Sequence, residues 1–299
     1  MYEGLAGIVP VENLRFNEPM ARHTTFQIGG PADVMVFPTG VEQVRAVVAW
    51  CQARNIPFLI MGRGSNLLVR DKGIRGVVLK LGEEFRKVNI LGEQVEAQAG
   101  VLLAELSDMT AAAGLSGLEF AEGIPGSLGG AIYMNAGAYG GEMRDVVEQV
   151  EAMSEDGYVR VFSGRELGFG YRNSVFQRNG CIILSARLTL KKGDQGEIRA
   201  RMRELARRRR EKQPLELPSA GSAFKRPEGY YVGPLVEKLG LKGYRIGGAE
   251  ISRKHAGFIV NTGGATASHV LALISLVQDR AREQFGVNLE PEMRIVGEE

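Results

Sequence analysis

Two glycine-rich turns are the stretches of this chain best suited to chemistry. In MGRGSNLLV, residues 61–69, two glycines and Ser65 follow an apolar run, and such a turn can aim consecutive backbone N–H groups at an anion. In GIPGSLGGAIYMNAGAYGGE, residues 123–142, seven glycines stand among Ile124, Leu128, Ile132, Tyr133 and Met134. A solvated linker would carry Ser, Lys and Glu between its glycines. The segment therefore reads as packed against something that approaches its backbone closely. Neither stretch is a G-x-G-x-x-G fingerprint opening a helix, and no G-x-x-x-x-G-K-[ST] loop is present, which argues against Rossmann and P-loop nucleotide binding. Two glycine-rich, serine-containing turns in neighbouring lobes suggest instead a large ligand whose diphosphate is held by backbone groups.

Other reactive residue types form no pattern of this kind. Cys51 and Cys181 fit neither a metal spacing nor a disulfide framework, which points to a reducing compartment. His23, His255 and His269 show no metal spacing either, so no metal is expected. The formal charge of +2 is too small to argue for nucleic acid. The run Arg207 to Arg210 ends a charged helical pattern and lacks interleaved aromatics, so it reads as cations suiting a helix C-terminus rather than an RNA surface. No basic leader with an apolar core opens the chain, and the apolar run near Val270 to Val277 is far shorter than a membrane span. A cytoplasmic protein without membrane insertion is expected, and no obligatory protein partner is evident.

The elements that must position these turns follow from periodicity. Thr39 can cap a helix from Val41 to Arg54 with Val44, Val47, Val48 and Cys51 on one face. Strands are expected in PFLIM, NLLV and GVVLKL, giving a small α/β lobe. A second lobe alternates strands such as QVEAQAG and CIILSARLTL with a helix from Leu102 to Ala113 stopped by Gly114. A charged helix ending at Pro214 looks like a connector. Beyond it lie a helix from Ala267 to Phe285 closed by Gly286 and a final strand in LEPEMRIVG.

Seven ordered stretches carry a family resemblance. RHTTFQIGGPAD, GRGSNLLV, GIPGSLGGAIYMNAGAYG, YRNSVF, PSAGSAFKRP, LKGYRIGGAEISRKHAGFIVN and LEPEMRIVG, between about Arg22 and Gly297, together resemble the UDP-N-acetylenolpyruvoylglucosamine reductases of bacterial cell-wall synthesis. The chain passes directly from YRNSVF into QRNGCIILSARL, so it resembles the shorter, second type that lacks a substrate-covering tyrosine insertion. The resemblance implies an α+β fold: a two-lobed FAD-binding unit of the vanillyl-alcohol-oxidase type plus a C-terminal α+β substrate-binding domain. The expected division is 24–193 for the FAD-binding domain, with lobes 24–85 and 86–193, then 194–214 as helical connector and 215–299 for substrate.

By the same resemblance, Gly62, Gly64, Ser65, Asn66 and Leu67 of the first turn would hold noncovalent FAD. Gly123, Pro125, Gly126, Ser127, Gly129 and Gly130 of the second, with Gly137 and Arg294, would complete that site. No histidine stands in the first turn to attach the flavin covalently. NADPH would be the co-substrate and a UDP-sugar the substrate, met by Tyr139, Lys225, Arg226, Lys254 and His255, with Tyr230 or Tyr231 able to stack on it. The implied reaction places hydride on the vinyl carbon of an enolpyruvyl ether. Charge then builds on the neighbouring carbon and in the carboxylate, which requires a fixed cation or acid and a proton donor. Arg172, Glu292 and Ser222 match those roles, although each has an ordinary alternative: a surface arginine, a strand-end carboxylate paired with Arg294, and a turn serine. An alcohol or sugar oxidase on the same scaffold and a nucleotide- or RNA-binding module are the competing readings.

Overall fold

The computed structural model describes residues 2–299. The chain divides into two compact units. One is built from Met1–Phe16, Val34–Arg63 and Gly76–Arg208, the other from Asn17–Asp33, Gly64–Arg75 and Arg209–Glu299.

In the first unit, strands Phe58–Met61 and Ile74–Lys80 pair in parallel, Phe58 opposite Val77 and Met61 opposite Lys80. They belong to a four-stranded sheet with Leu14–Pro19 and Pro31–Val36, in the order Leu14–Pro19, Pro31–Val36, Ile74–Lys80, Phe58–Met61. Helix Val41–Gln52 buries Val44, Val47, Val48, Trp50 and Cys51, the apolar face that helical spacing anticipated, with Trp50 added to it. Its N-cap is Gly40 rather than Thr39, and no side chain caps it. The N–H of Thr39 donates to Oε1 of Gln43 at 2.8 Å, so a glutamine one turn into the helix reaches back to the residue before the cap.

The same unit holds a five-stranded sheet ordered Val159–Ser163, Val147–Met153, Ile182–Thr189, Gln94–Gln98, Val88–Leu91, antiparallel throughout. Helix Leu103–Ala112 ends at Gly114, whose φ of +69° is the left-handed stop that glycine permits. One continuous core joins these elements, with Val36, Leu79, Leu106, Leu128, Val150 and Leu188 all buried.

In the second unit, strands Ser219–Ser222, Phe258–Asn261, Ala249–Ile251 and Arg245–Ile246 form an antiparallel sheet in that order. Helix Ala267–Phe285 buries Val270, Leu273, Ile274, Val277 and Ala281, a stripe at helical spacing, and stops at left-handed Gly286. These side chains share a core with Phe26, Ile28, Leu68, Phe224, Ile251 and Ile259. The last strand, Arg294–Val296, pairs in parallel with Leu67–Val69, the strand that leaves the first glycine turn.

Helix Gln195–Lys212 carries the arginine run. Arg209 is buried and Arg208 pairs with Glu204, so the run is not one exposed basic stripe. Among the described residues no helix is long and apolar enough to cross a membrane.

Candidate active site

In the first unit Gly62, at the start of the first glycine turn, packs against Ser127 of the second. A Cβ on Gly62 would lie 2.1 Å from Oγ of Ser127, so the bare backbone at residue 62 is what lets the loops touch. Ser127 is buried at the N-cap of the short helix Leu128–Tyr133 and bridges Leu102. Gly123, Pro125 and Gly130 are exposed and Gly126 half-buried beside it. Apart from its own helix, a Cβ on Gly130 would meet among the described residues that same Oγ, at 3.7 Å. Neither Gly62 nor any residue of 123–130 is an acid. Open backbone without negative charge is what a diphosphate requires, so these residues fit an FAD.

Several glycines of the long segment answer to the chain itself. A side chain on Gly129 would meet Cβ of Ala99 at 2.9 Å, one on Gly137 would meet Cβ of Glu142 at 2.6 Å, and one on Gly141 would meet the Phe120 ring at 2.6 Å. Close protein packing thus accounts for part of the glycine content for which sequence reasoning called on a ligand.

Arg172 and Tyr139 share an uncommon feature. Their φ angles are +52° and +54°, and that of buried Asn135 is +42°. Left-handed backbone at non-glycine residues costs free energy and gathers at sites where the surroundings enforce it. The Arg172 guanidinium donates to the carbonyl of Gly137 at 3.2 Å and lies 5.3 Å from the ring centroid of Tyr171.

The second unit knits Asn66, Ser222, Glu292 and Arg294 together. Nδ2 of Asn66 donates to the carbonyl of Glu292 at 3.1 Å, and the N–H of Arg294 donates to the carbonyl of Asn66 at 2.9 Å. The N–H of Glu292 donates to the carbonyl of Ala223 at 3.0 Å, which sets it one residue from Ser222 along the neighbouring chain. The Ser222 hydroxyl donates to the carbonyl of Phe224 at 2.9 Å. Gly64 carries φ +69°, its carbonyl accepts from the N–H of Thr25 at 3.4 Å, and Ser65 and Leu67 beside it are half-buried.

Also in the second unit, Nζ of Lys225 pairs with Glu290 at 3.0 Å, the Arg226 guanidinium stacks 3.9 Å over the Tyr231 ring, and Lys254 pairs with Glu216 at 3.5 Å. His255 accepts at Nδ1 from the N–H of Gly257 at 3.0 Å. Burial holds its pKa below the ordinary histidine value, so at neutral pH the ring is uncharged and shaped as an acceptor. Sequence reasoning missed Asn135, Ser174 and Gln177 near Arg172, and Asp71, which accepts from the N–H groups of Ala267 and Ser268 at 2.7 and 2.9 Å. Only the nearness of Ser174 and Gln177 to Arg172 in YRNSVFQ offered a signal.

Two family models match the chain in sequence order: an FAD binding domain over residues 32–163, and the C-terminal domain of UDP-N-acetylenolpyruvoylglucosamine reductase over 213–296. The curated reductase of that name from Syntrophomonas wolfei is 53% identical over 299 residues, covering 100% of both chains. That settles the family. The chain belongs to the UDP-N-acetylenolpyruvoylglucosamine reductases.

A second member, from Alkaliphilus oremlandii, is 53% identical over 298 residues, covering 100% of this chain and 98% of the relative. The crystal structure of the Thermus caldophilus reductase superposes with a TM-score of 0.81 at 41% identity, covering 93% of this chain and 97% of that one. A glucose oxidase matches 64% of this chain with a TM-score of 0.50 at 13% identity. That likeness is one of fold alone and lends nothing to an oxidase activity. As a member of the family the protein is an oxidoreductase with an FAD-binding domain and an α+β fold.

Proposed function

We propose that this enzyme reduces UDP-N-acetylglucosamine enolpyruvate to UDP-N-acetylmuramate for peptidoglycan precursor synthesis, with NADPH as electron source, in the cytoplasm. The observation that carries the reading is similarity over the entire length to reductases of that name. Residues 24–193 would hold FAD and 215–299 the UDP-sugar. When bound, FAD supplies the hydride that enters the terminal vinyl carbon. The fit of the turns at Gly62 and Ser127 to a diphosphate supports this role.

Arg172 holds the substrate carboxylate. Its planar fork makes paired charged hydrogen bonds and keeps its charge at any working pH. The charge that builds next to the vinyl carbon spreads into that carboxylate, so a fixed guanidinium there is worth more in the transition state than in the ground state. Glu292 shares a proton with the same carboxylate. Ser222 gives its hydroxyl proton to the neighbouring carbon. A hydroxyl is a weak acid, but the acceptor is a carbanion-like centre of far higher basicity. To act, the Ser222 hydroxyl gives up its hydrogen bond to the Phe224 carbonyl. Lys225, Arg226, Lys254, His255 and Tyr139 bind the sugar nucleotide.

Comparing half-reactions in Ser222→Ala tests these roles. Reduction by NADPH should match wild type, while reoxidation by the enolpyruvyl substrate should slow by about 100-fold or more. Reoxidation at the wild-type rate would remove Ser222 as the proton donor.

A further inference from the structure

Arg172 stands at the tip of a tight loop. Gly170 and Asn173 exchange both backbone hydrogen bonds, at 3.0 and 3.2 Å, leaving Tyr171 and Arg172 between them. Two carboxamides grip this loop. Nδ2 of Asn135 donates to the carbonyl of Gly170 at 2.9 Å, while its Oδ1 accepts from the N–H of Arg144 at 3.0 Å. Nε2 of Gln177 donates to the carbonyl of Arg172 at 3.0 Å and to the carbonyl of Tyr133 at 2.8 Å. Tyr133 ends the helix of the second glycine turn, and its carbonyl also accepts from the Ser174 hydroxyl at 2.8 Å.

A carboxamide NH2 has two hydrogens, and here each has a carbonyl. One planar group therefore ties the peptide of a left-handed arginine to the glycine segment whose Gly137 carbonyl takes that arginine's guanidinium. Glutamate has the same shape but offers acceptors to two acceptors, and leucine offers neither. Main-chain geometry fixes where the side chain starts, so this tether governs the direction of the guanidinium without touching substrate.

We infer that Gln177 is a positioning residue for the reaction: it holds the Arg172 peptide in its left-handed turn and so aims the guanidinium at the substrate carboxylate. The inference rests on the role proposed for Arg172.

Holoenzymes carrying Gln177→Leu, Arg172→Ala and both changes are reduced anaerobically with dithionite, then mixed with UDP-N-acetylglucosamine enolpyruvate while flavin absorbance is followed. Gln177→Leu should keep its flavin and reoxidise about 10–100-fold more slowly than wild type, the scale of effect that small misplacement of a catalytic group produces. Arg172→Ala should be slower still, and the double variant should match it, since a tether has no function once the tethered group is gone. Gln177→Glu should repeat the Gln177→Leu result.

Wild-type reoxidation in Gln177→Leu, or a double variant slowed by the product of the two single effects, would overturn the assignment while leaving the role of Arg172 intact. Loss of flavin from both Gln177 variants would make the residue a structural one and also overturn it. Wild-type reoxidation in Arg172→Ala would instead remove the catalytic role on which the inference stands.

Discussion

Asn66 and Glu292, 226 positions apart, are joined by a hydrogen bond of 3.1 Å from the Asn66 side chain to the Glu292 carbonyl. The N–H of Arg294 answers with a bond of 2.9 Å to the Asn66 carbonyl. The first glycine turn thereby clamps the chain on both sides of Met293, a residue buried in the core of its unit, and fixes the peptide from which the Glu292 carboxylate extends.

Replacing Asn66 by Ala removes the side-chain bond and leaves the carbonyl of Glu292 without that donor. The expected loss is about 1 kcal/mol of stability, seen as a lowered unfolding midpoint. Reoxidation of the reduced enzyme by substrate should slow more than flavin reduction does. Equal slowing of both half-reactions would show that the clamp serves the flavin and not Glu292.

Gly62→Ala places a methyl carbon 2.1 Å from Oγ of Ser127, closer than non-bonded carbon and oxygen can approach. The Ser127 hydroxyl must turn to another rotamer, with its Cβ still tight at 3.2 Å, or one loop must move, and overpacking of this kind costs about 1–3 kcal/mol. The purified variant should carry less flavin per chain than wild type, measured by absorbance. Adding Ser127→Ala removes the nearest atom, leaves Cβ of Ser127 at 3.2 Å, and should restore part of the stability. A Gly62→Ala protein with full flavin and an unchanged unfolding midpoint would contradict the contact between the turns.

Asp71 tests the second unit through pH. Partial burial pushes its carboxyl pKa up, but hydrogen bonds from the Ser268 hydroxyl, the Ser268 N–H and the Ala267 N–H outweigh this and leave it below the ordinary value. These donors open helix Ala267–Phe285, whose own capping box pairs Thr266 with His269. A carboxylate with a lowered folded pKa stabilises the fold at every pH above its unfolded value near roughly 3.9, and that contribution vanishes as pH falls through the folded pKa. Asp71→Ala should therefore cost about 1 kcal/mol at neutral pH, as other lost helix-terminal acceptors do. The gap between variant and wild type should close in acid. A gap that is constant with pH would mean that the carboxylate charge plays no part.

The helices were the most legible elements. Val270, Leu273, Ile274 and Val277 repeat at helical spacing and Gly286 stops them, and the resulting helix spans Ala267–Phe285 as expected. Gly114 stops its helix in the same way. The final strand was legible as a strand, but its parallel pairing with Leu67–Val69 was not, because nothing local encodes a partner more than two hundred residues away. The Gly40 cap was not legible either: Thr39 is the better capping residue by type, yet the helix opens one residue later, behind Gly40.

The candidate site divides along the same line. Gly62, Ser127, Arg172, Ser222 and Glu292 were visible as motif residues, whereas Gln177, Asn135 and Asp71 act through carbonyls and N–H groups brought near by folding. Single glycines were also ambiguous. Gly129 and Gly137 make room for Ala99 and Glu142, and a sequence does not distinguish a neighbouring side chain from a ligand.

The most direct measurement uses the wild-type enzyme under anaerobic conditions: bleach the flavin with NADPH, remove the nicotinamide, and add UDP-N-acetylglucosamine enolpyruvate. The yellow colour should return at once, with UDP-N-acetylmuramate formed in equal amount to the flavin reoxidised. Protein that stays bleached until air is admitted, or that never bound a flavin, would contradict the proposed reaction.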